Sequence, residues 1–368
     1  MIDQELLSLL ALQKIEGVGD IIAKKLLHHC GTAENIFKTK STHLTAIDGI
    51  GQFLIKNLKS KSVFLEAEQE LKFIKNNNID VHFFKDDTYP DKLKHCIDGP
   101  ILLFSSGVIN LKNQKVISIV GTRQITSYGS EFCKKLIEDL APLNPIIISG
   151  FAYGVDIVAH QTAMDLNLQT IGVLAHGLNQ IYPKTHKKFV AKMEQHGGFL
   201  TEFWSNSSPE KENFVKRNRI VAGMSEATIV IESAEKGGSL ITANMANDYN
   251  RDVFAVPGRT TDKLSQGCNN LIKTQRANLL SSAADIMYIL NWQLNDSQTN
   301  KAVQKQLFIE LENDEQKIYD YLLKNGKQLL DVIALENDLQ VFKISSMLLN
   351  MELKGVVRPL PGKLFEAI

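Results

Sequence analysis

Net charge is the first thing this sequence lacks: Lys+Arg and Asp+Glu each number 41 in 368 residues. Screening over roughly 8 Å at physiological salt decouples distant charges, so a nucleic-acid partner would have to be met by a local basic patch. The four cysteines, Cys30, Cys96, Cys133 and Cys268, show neither CxxC spacing nor a histidine at ligand distance. That argues against a disulfide framework or structural zinc and fits reduced thiols in a cytosol. The opening stretch "MIDQELLSLLALQ" has no basic leader region, and no apolar run reaches the roughly 18 residues that span a bilayer. A cytoplasmic location without a membrane partner is expected. Catalytic signatures are missing too: no GxGxxG follows the first strand, and GxxxxGK[ST], HExxH and GxSxG do not occur. No cofactor, metal or catalytic residue is expected.

What is present divides into three regions. Residues 1–70 read as short helices around two similar turns, "IEGVGDIIAKKLL" (15–27) and "IDGIGQFLIKNL" (47–58). Each has the helix-hairpin-helix (SAM-like) pattern, in which glycines open the next helix with bare amides. Those amides suit either a DNA phosphate or close helix packing; Lys24, Lys25 and Lys56 lie nearby in sequence. From residue 71 to 290 apolar β-branched runs alternate with helix-length amphipathic stretches. "VISIV" (116–120), "IIIS" (146–149), "IGVL" (171–174), "TIVIE" (228–232) and "VFAV" (253–256) are too apolar for half-exposed strands. They predict an α/β domain of the extended Rossmann-like, doubly wound type with a parallel sheet buried on both faces. "VHFF" (81–84) and "ILLF" (101–104) are expected to add edge elements. Residues 291–311 read as a polar linker. Residues 312–368 predict three short helices and an apolar pair, a small winged-helix-like module that could read DNA or dock a partner.

In an open parallel sheet the ligand lies beyond the carboxyl ends of the strands. There the sequence places Gly121, Thr122 and Arg123 after the first run, and Ser149, Gly150 and Tyr153 after the second. Lys184 of "IYPK" follows the third, and Gly237, Gly238 and Ser239 open a later helix. Glycine at helix entrances exposes backbone amides to phosphate oxygens. "NFVKRNRIVAG" (213–223) adds Phe214, Lys216, Arg217, Asn218 and Arg219. Its bland reading is a solvated helix face. Taken with the other cations and with Tyr153 and Tyr182, it predicts a basic, aromatic pocket for single-stranded nucleic acid, since stacking is worth roughly 1–3 kcal/mol per base. Asp156 is expected to buttress its turn rather than to act on His160, and His176 and His186 to pack or face phosphate.

The ordered set "VGTR…SYG", "SGFAYGVDIVAH", "IGVLAHGLNQIYPKTH", "NFVKRNRIVAG", "EKGGSLITANMA" and "VFAVPG…GCNNLI" resembles the DNA-processing protein A (DprA/Smf) family over roughly residues 80–285. The resemblance implies a non-enzymatic, dimeric cytosolic protein that binds single-stranded DNA, protects incoming strands in natural transformation and loads the recombinase RecA. It implies phosphate contacts at Arg123, Lys184 and residues 216–219, with Phe214 against a base. Three positions depart from the family pattern: Val215 for proline, Gly237 for serine, and a missing glycine before Ala277. A nucleotide-binding phosphoribohydrolase-like hydrolase is the rival reading; its catalytic Glu would fall near Asn244 or Met245.

Overall fold

The computed structural model describes residues 3–60, 62–110, 115–293, 311–360 and 364–368. They fall into two compact units divided after Asn295. The polar linker expected at 291–311 lies, from residue 294 to 310, outside the described residues.

The first unit opens with helices α1 (Asp3–Lys14), α2 (Asp20–Cys30), α3 (Ala33–Lys38), α4 (Ser41–Leu44), α5 (Gln52–Leu58) and α6 (Ser62–Asn76). The two glycine turns have matching geometry: Gly17 and Gly49 both hold φ near +85°, and Gly19 and Gly51 cap α2 and α5 in extended backbone. They also pack reciprocally. A Cβ on Gly17 would lie 3.0 Å from Leu54 of α5, and one on Gly49 would lie 3.4 Å from Ile22 of α2. The repeat is therefore a pair of hairpins facing each other. Lys24 donates to the carbonyls of Cys96 and Ile97, and Lys25 pairs with Asp48 at 3.0 Å. Only Lys56 of the three lysines points to solvent without such a bond. Helix α6 runs through residue 70, where the sequence suggested a boundary, because Ala67 and Ile74 complete the same apolar core as Leu9, Leu10 and Leu26.

The chain then enters strand β1 (Asp80–Phe83), helix α7 (Asp91–Lys94) and strand β2 (Leu102–Gly107), followed by β3 (Val116–Val120), α8 (Ser127–Leu140), β4 (Ile146–Ser149), α9 (Val155–Asp165) and β5 (Thr170–Val173). It continues through α10 (Val190–Gln195), β6 (Gly197–Thr201), α11 (Lys211–Met224), β7 (Ala227–Val230), α12 (Gly238–Asp248), β8 (Asp252–Ala255), α13 (Gln266–Lys273), β9 (Asn278–Leu279) and α14 (Ala283–Ile289). The sheet has nine strands in the order β1-β2-β6-β5-β4-β3-β7-β8-β9. Strands β3 to β9 are parallel, and β1 and β2 extend one edge in antiparallel register. Alternation sorts the side chains. Val116 and Val120 face Ile220, Val221 and Ala222 of α11, whereas Ile117 and Ile119 face Leu136, Ile137 and Ala159 of α8 and α9. The chain thus winds to one face and then to the other, and strand order reverses between β3 and β7, which opens a crevice at their carboxyl ends.

Strand β6 was not legible in "GGFLT", because two glycines look like a turn. The neighbouring backbones explain them. A Cβ on Gly197 would sit 2.2 Å from the Thr170 carbonyl oxygen, and one on Gly198 would sit 1.9 Å from that of Ser106.

The second unit holds α15 (Asn313–Asn325), β10 (Gln328–Leu329), α16 (Leu330–Glu336), α17 (Val341–Leu353), β11 (Val357–Leu360) and β12 (Leu364–Ala367). Its three-stranded sheet, ordered β10-β12-β11, closes over Ile318, Leu322, Ile333, Ile344, Leu348 and Met351. This is a winged-helix arrangement. The cations on it are largely matched in place: Lys343 pairs with Asp314, Lys354 with Glu315, and Lys327 and Arg358 with Glu366.

Replacing Gly198 by alanine forces β2 and β6 apart. Gly198→Ala is expected to lower unfolding stability by about 3 kcal/mol, read by urea denaturation; a change below about 1 kcal/mol would contradict the close approach.

Candidate nucleic-acid interface

The loop after β3 is held from both sides of the crevice. Thr122 donates its amide to the Glu232 carbonyl at 2.8 Å and accepts the Val155 amide at 3.1 Å. Gly121 lies so close to Val155 that a Cβ would stand 2.5 Å from its side chain. Gly154, at φ +77°, brings the turn after β4 against the same loop, within 2.2 Å of the Thr122 oxygen for any added Cβ. Only glycine fits such a conformation at such a distance. The constraint leaves Arg123 projecting from the strand ends, exposed.

Helix α11 supplies the facing wall. Its amino-terminal half reaches the carboxyl end of the sheet because α11 precedes β7 and runs antiparallel to it. The Arg123 guanidinium lies 5.5 Å from the centre of the Phe214 ring, within cation–π range. The Tyr182 ring meets Phe214 edge-on at 5.8 Å. Beyond it the Tyr153 ring packs on His186 at 5.0 Å, and its hydroxyl accepts a hydrogen bond from Thr185 at 3.0 Å. Tyr153 and Tyr182 are about two-fifths exposed, and Lys184 and Lys216 are exposed too. Three groups expected from separate motifs, Arg123, Tyr182 and Phe214, therefore meet at one surface.

Arg217 sits behind this surface, not on it. Its guanidinium is buried and donates to the Gly150 oxygen at 2.7 Å and to the Val173 oxygen, while Nε donates to Asn218 Oδ1 at 3.2 Å. Asp156 Oδ2 accepts the amides of Gly150 and Ala152 at 3.1 and 3.2 Å. Burial lowers the Arg217 pKa to about 10, with Asp156 opposing the shift and Arg123 adding to it. Burial pushes the Asp156 pKa up, against the pull of Arg217. The expectation that Arg217 grips phosphate is therefore corrected: two carbonyls and a carboxylate occupy its neighbourhood, and a Cβ on Gly150 would meet Nη1 at 2.5 Å. Asp156 does brace its turn, as the sequence suggested.

Arg219 departs further. It lies on the opposite flank of α11, pairing with Glu202, with Asp20 at 3.1 Å and with the carbonyl of Asp98. Burial opposes its charge, but Glu202, Asp20 and Asp98 outweigh that and raise its pKa. Glu202 is itself raised to about 7, chiefly by burial and against Arg219. Arg219 thus ties the helical hairpins to the α/β sheet, its guanidinium buried and turned to these partners.

Ser149 is fully buried and donates to the Ile119 oxygen at 2.6 Å. Ser239 is buried against Ser233 at 2.9 Å, and a Cβ on Gly237 would strike the same Ser233 hydroxyl. Of that glycine turn only Gly238 opens to solvent. The residue least expected from sequence is Glu232. Its carboxylate takes the Thr126 amide at 2.9 Å and the Thr126 hydroxyl at 2.5 Å, closing the entrance of α8. A carboxylate at the end of an apolar strand was its one signal.

Among the described residues no hydrogen-bond partner meets Nε2 of buried His160 or His176, and His160 Nδ1 meets Thr170 at 2.6 Å. Burial lowers the His160 pKa to about 3. They are packing residues of the strand ends, and His186 joins them under Tyr153.

The geometry defines a class: an extended Rossmann-like protein whose strand-end crevice presents a cation against edge-packed aromatic rings. Comparison with known proteins narrows it. The model for DNA recombination-mediator protein A matches residues 80–291, and that for the DprA winged helix domain matches 306–363. Protein Smf of Escherichia coli is 34% identical over 282 residues, 74% of each chain, and Protein Smf of Synechocystis is 34% identical over 276 residues, 74% of this chain and 69% of that one. The DNA processing protein A structure from Streptococcus pneumoniae superposes with a TM-score of 0.63 at 30% identity, covering 78% of this chain and 98% of that one. The Helicobacter pylori protein, whose structure concerns its single-stranded DNA binding mode, gives 0.53 at 28% identity, covering 58% and 97%. This chain belongs to the DNA processing protein A (DprA/Smf) family.

Two outcomes test the site's frame. Arg219→Ala should cost about 3–5 kcal/mol of unfolding stability by stranding Glu202 and Asp20, and a loss under 1 kcal/mol in denaturant melts would contradict the tie. For His160 the folded pKa lies below the unfolded value of roughly 6.5, so protons favour the unfolded chain as pH falls. Between pH 7 and 5 wild type should lose about 2 kcal/mol more than His160→Gln; parallel pH profiles would refute it.

Proposed function

We propose that this protein binds single-stranded DNA along the carboxyl edge of its sheet and mediates recombination by presenting that strand. One observation carries the reading: Arg123, Phe214 and Tyr182 form a continuous cation–ring–ring step at the crevice of a family-typical fold. Rings give sequence-tolerant base stacking, and the flanking cations neutralise phosphates. Lys184 and Lys216 extend the charge, and the turns at Gly121–Thr122, Gly150–Tyr153 and Gly238 bring backbone close to the strand. Phe214 and Tyr182 meet bases, while Arg217 and Asn218 shape the wall from behind. The protein acts by binding, without a chemical step of its own. At the position where a phosphoribohydrolase-like enzyme would need its carboxylate, Asn244 carries an amide that accepts from Arg276.

The family resemblance extends the reading to a cytoplasmic homodimer that protects incoming strands during natural transformation and loads RecA onto them. Within it residues 1–70, continued by α6, form a helical platform, and residues 312–368 a module whose matched charges favour partner docking over DNA reading. Among the described residues no helix is long and apolar enough to cross a membrane.

Fluorescence anisotropy with a labelled oligothymidylate and a blunt duplex tests the core of this. Single strands should bind tighter, with a log–log salt slope of about −0.7 per neutralised phosphate. Arg123→Ala with Lys184→Ala should flatten that slope by about 1.4 and weaken binding at least tenfold. Equal affinity for blunt duplex, or an unaltered double variant, overturns the proposal. Strand exchange by the host recombinase in the presence of single-strand-binding protein tests the mediator role, and absence of stimulation would remove it.

A further inference from the structure

Where the β3–α8 loop enters α8, between Tyr128 and the loop after β8, lies a second cavity, of about 1020 Å³. Its walls include Tyr128, Arg259, Lys263, Asp262 and Glu232. Several observations make it a built site. Tyr128 is half exposed, and its hydroxyl donates to the Pro257 oxygen at 3.2 Å, which stands the ring up as one wall. The opposite wall, the 257–265 loop, is held to α13 by a two-bond clamp: the Gly258 amide donates to Asn269 Oδ1 at 3.1 Å and Asn269 Nδ2 donates to the Gly258 oxygen at 3.0 Å. The Ser233 amide donating to the Leu264 oxygen at 2.7 Å ties the loop to the end of β7. Arg259 and Lys263 project from this pinned loop and are exposed. Among the described residues neither pairs with a carboxylate, in contrast to Arg219.

We infer that this cavity is a second nucleotide subsite, in which a single strand already lying over Arg123 and Phe214 places a further base on Tyr128 and its phosphates on Arg259 and Lys263. The inference rests on the single-strand reading above. Continuity supports it: Arg123 and Tyr128 are five residues apart on one loop and its helix, so a strand crossing that loop leaves one ring-and-cation step and enters the next. The volume exceeds what one base fills and suits about two nucleotides. The polar lining is divided in a matching way. Glu232 is deep and engaged with Thr126, which disfavours a phosphate there, whereas the two cations stand at the mouth. Asp262 offers an acceptor to the N–H groups of a base edge.

The test measures anisotropy of labelled oligothymidylates of about 6 and about 20 nucleotides on full-length wild type, Arg259→Ala/Lys263→Ala, Tyr128→Ala and Tyr128→Phe. Thermal melts check that each variant is folded. The long oligonucleotide should bind the double variant at least tenfold more weakly, with a salt slope flatter by about 1.4, while the short one binds unchanged. Tyr128→Ala should lose about fivefold or more and Tyr128→Phe little, since the ring does the stacking. Unchanged long-strand binding in folded Arg259→Ala/Lys263→Ala overturns the subsite and leaves the strand reading intact. Failure of wild type to bind either oligonucleotide overturns the reading itself. Saturable binding of thymidine monophosphate that the double variant abolishes, with long-strand affinity unchanged, would make the cavity a free-nucleotide site and overturn its place on the strand path.

Discussion

The Arg217 guanidinium, buried beneath the crevice, is the interaction on which the rest of the site depends. It reaches from α11 to the carbonyl oxygens that end β4 and β5, with the Asp156 carboxylate bracing the same turn through two amides. A charge taken out of water is tolerable only when such partners surround it. Because they do, three segments distant in sequence become one rigid floor. Phe214, three residues earlier on the same helix, is thereby set at the height where Arg123 covers its ring.

Three arginines in this protein consequently have three roles. Arg123 is exposed and free to meet phosphate; Arg217 is a strut; Arg219 is a bolt between the hairpins and the sheet. The neutral total conceals this division of labour, since part of the acidic complement is engaged with cations that hold the structure. Glu202 and Asp20 neutralise Arg219, and Asp314, Glu315 and Glu366 neutralise the winged-helix cations. At the carboxyl edge of the sheet Arg123 and Lys184 are exposed, as is Lys216 farther along α11, whose charge also acts on Glu202.

The glycines have one common cause at the site. Gly121, Gly150 and Gly154 each lie where the Val155 side chain, the Arg217 fork or another segment's backbone, respectively, comes within 2.2–2.5 Å of a notional Cβ. They are therefore first a packing requirement of the crossing loops. Backbone amides facing a ligand follow from that closeness instead of motivating it. Gly237 belongs to the same category against Ser233, and Gly238 alone has open space.

Five strand runs of the parallel sheet were legible to within a residue or two, because a strand buried on both faces must be apolar throughout. The glycine repeat was legible as a pair of hairpins for a similar local reason: a φ of +85° and a bare helix entrance demand glycine wherever they occur. Strand β6 was hidden, since its glycines answer to Ser106 and Thr170, which lie far off in the chain. The motif "KRNR" shows the limit most clearly. Its sequence determined that cations gather on a helix in a strand-end crevice, but cations one and two positions apart on a helix, as Lys216 and Arg217 or Arg217 and Arg219 are, point in different directions. Only the tertiary structure decided that Lys216 faces solvent, Arg217 faces two carbonyls and Arg219 faces two carboxylates, because a side chain's role depends on which partners the fold brings within reach.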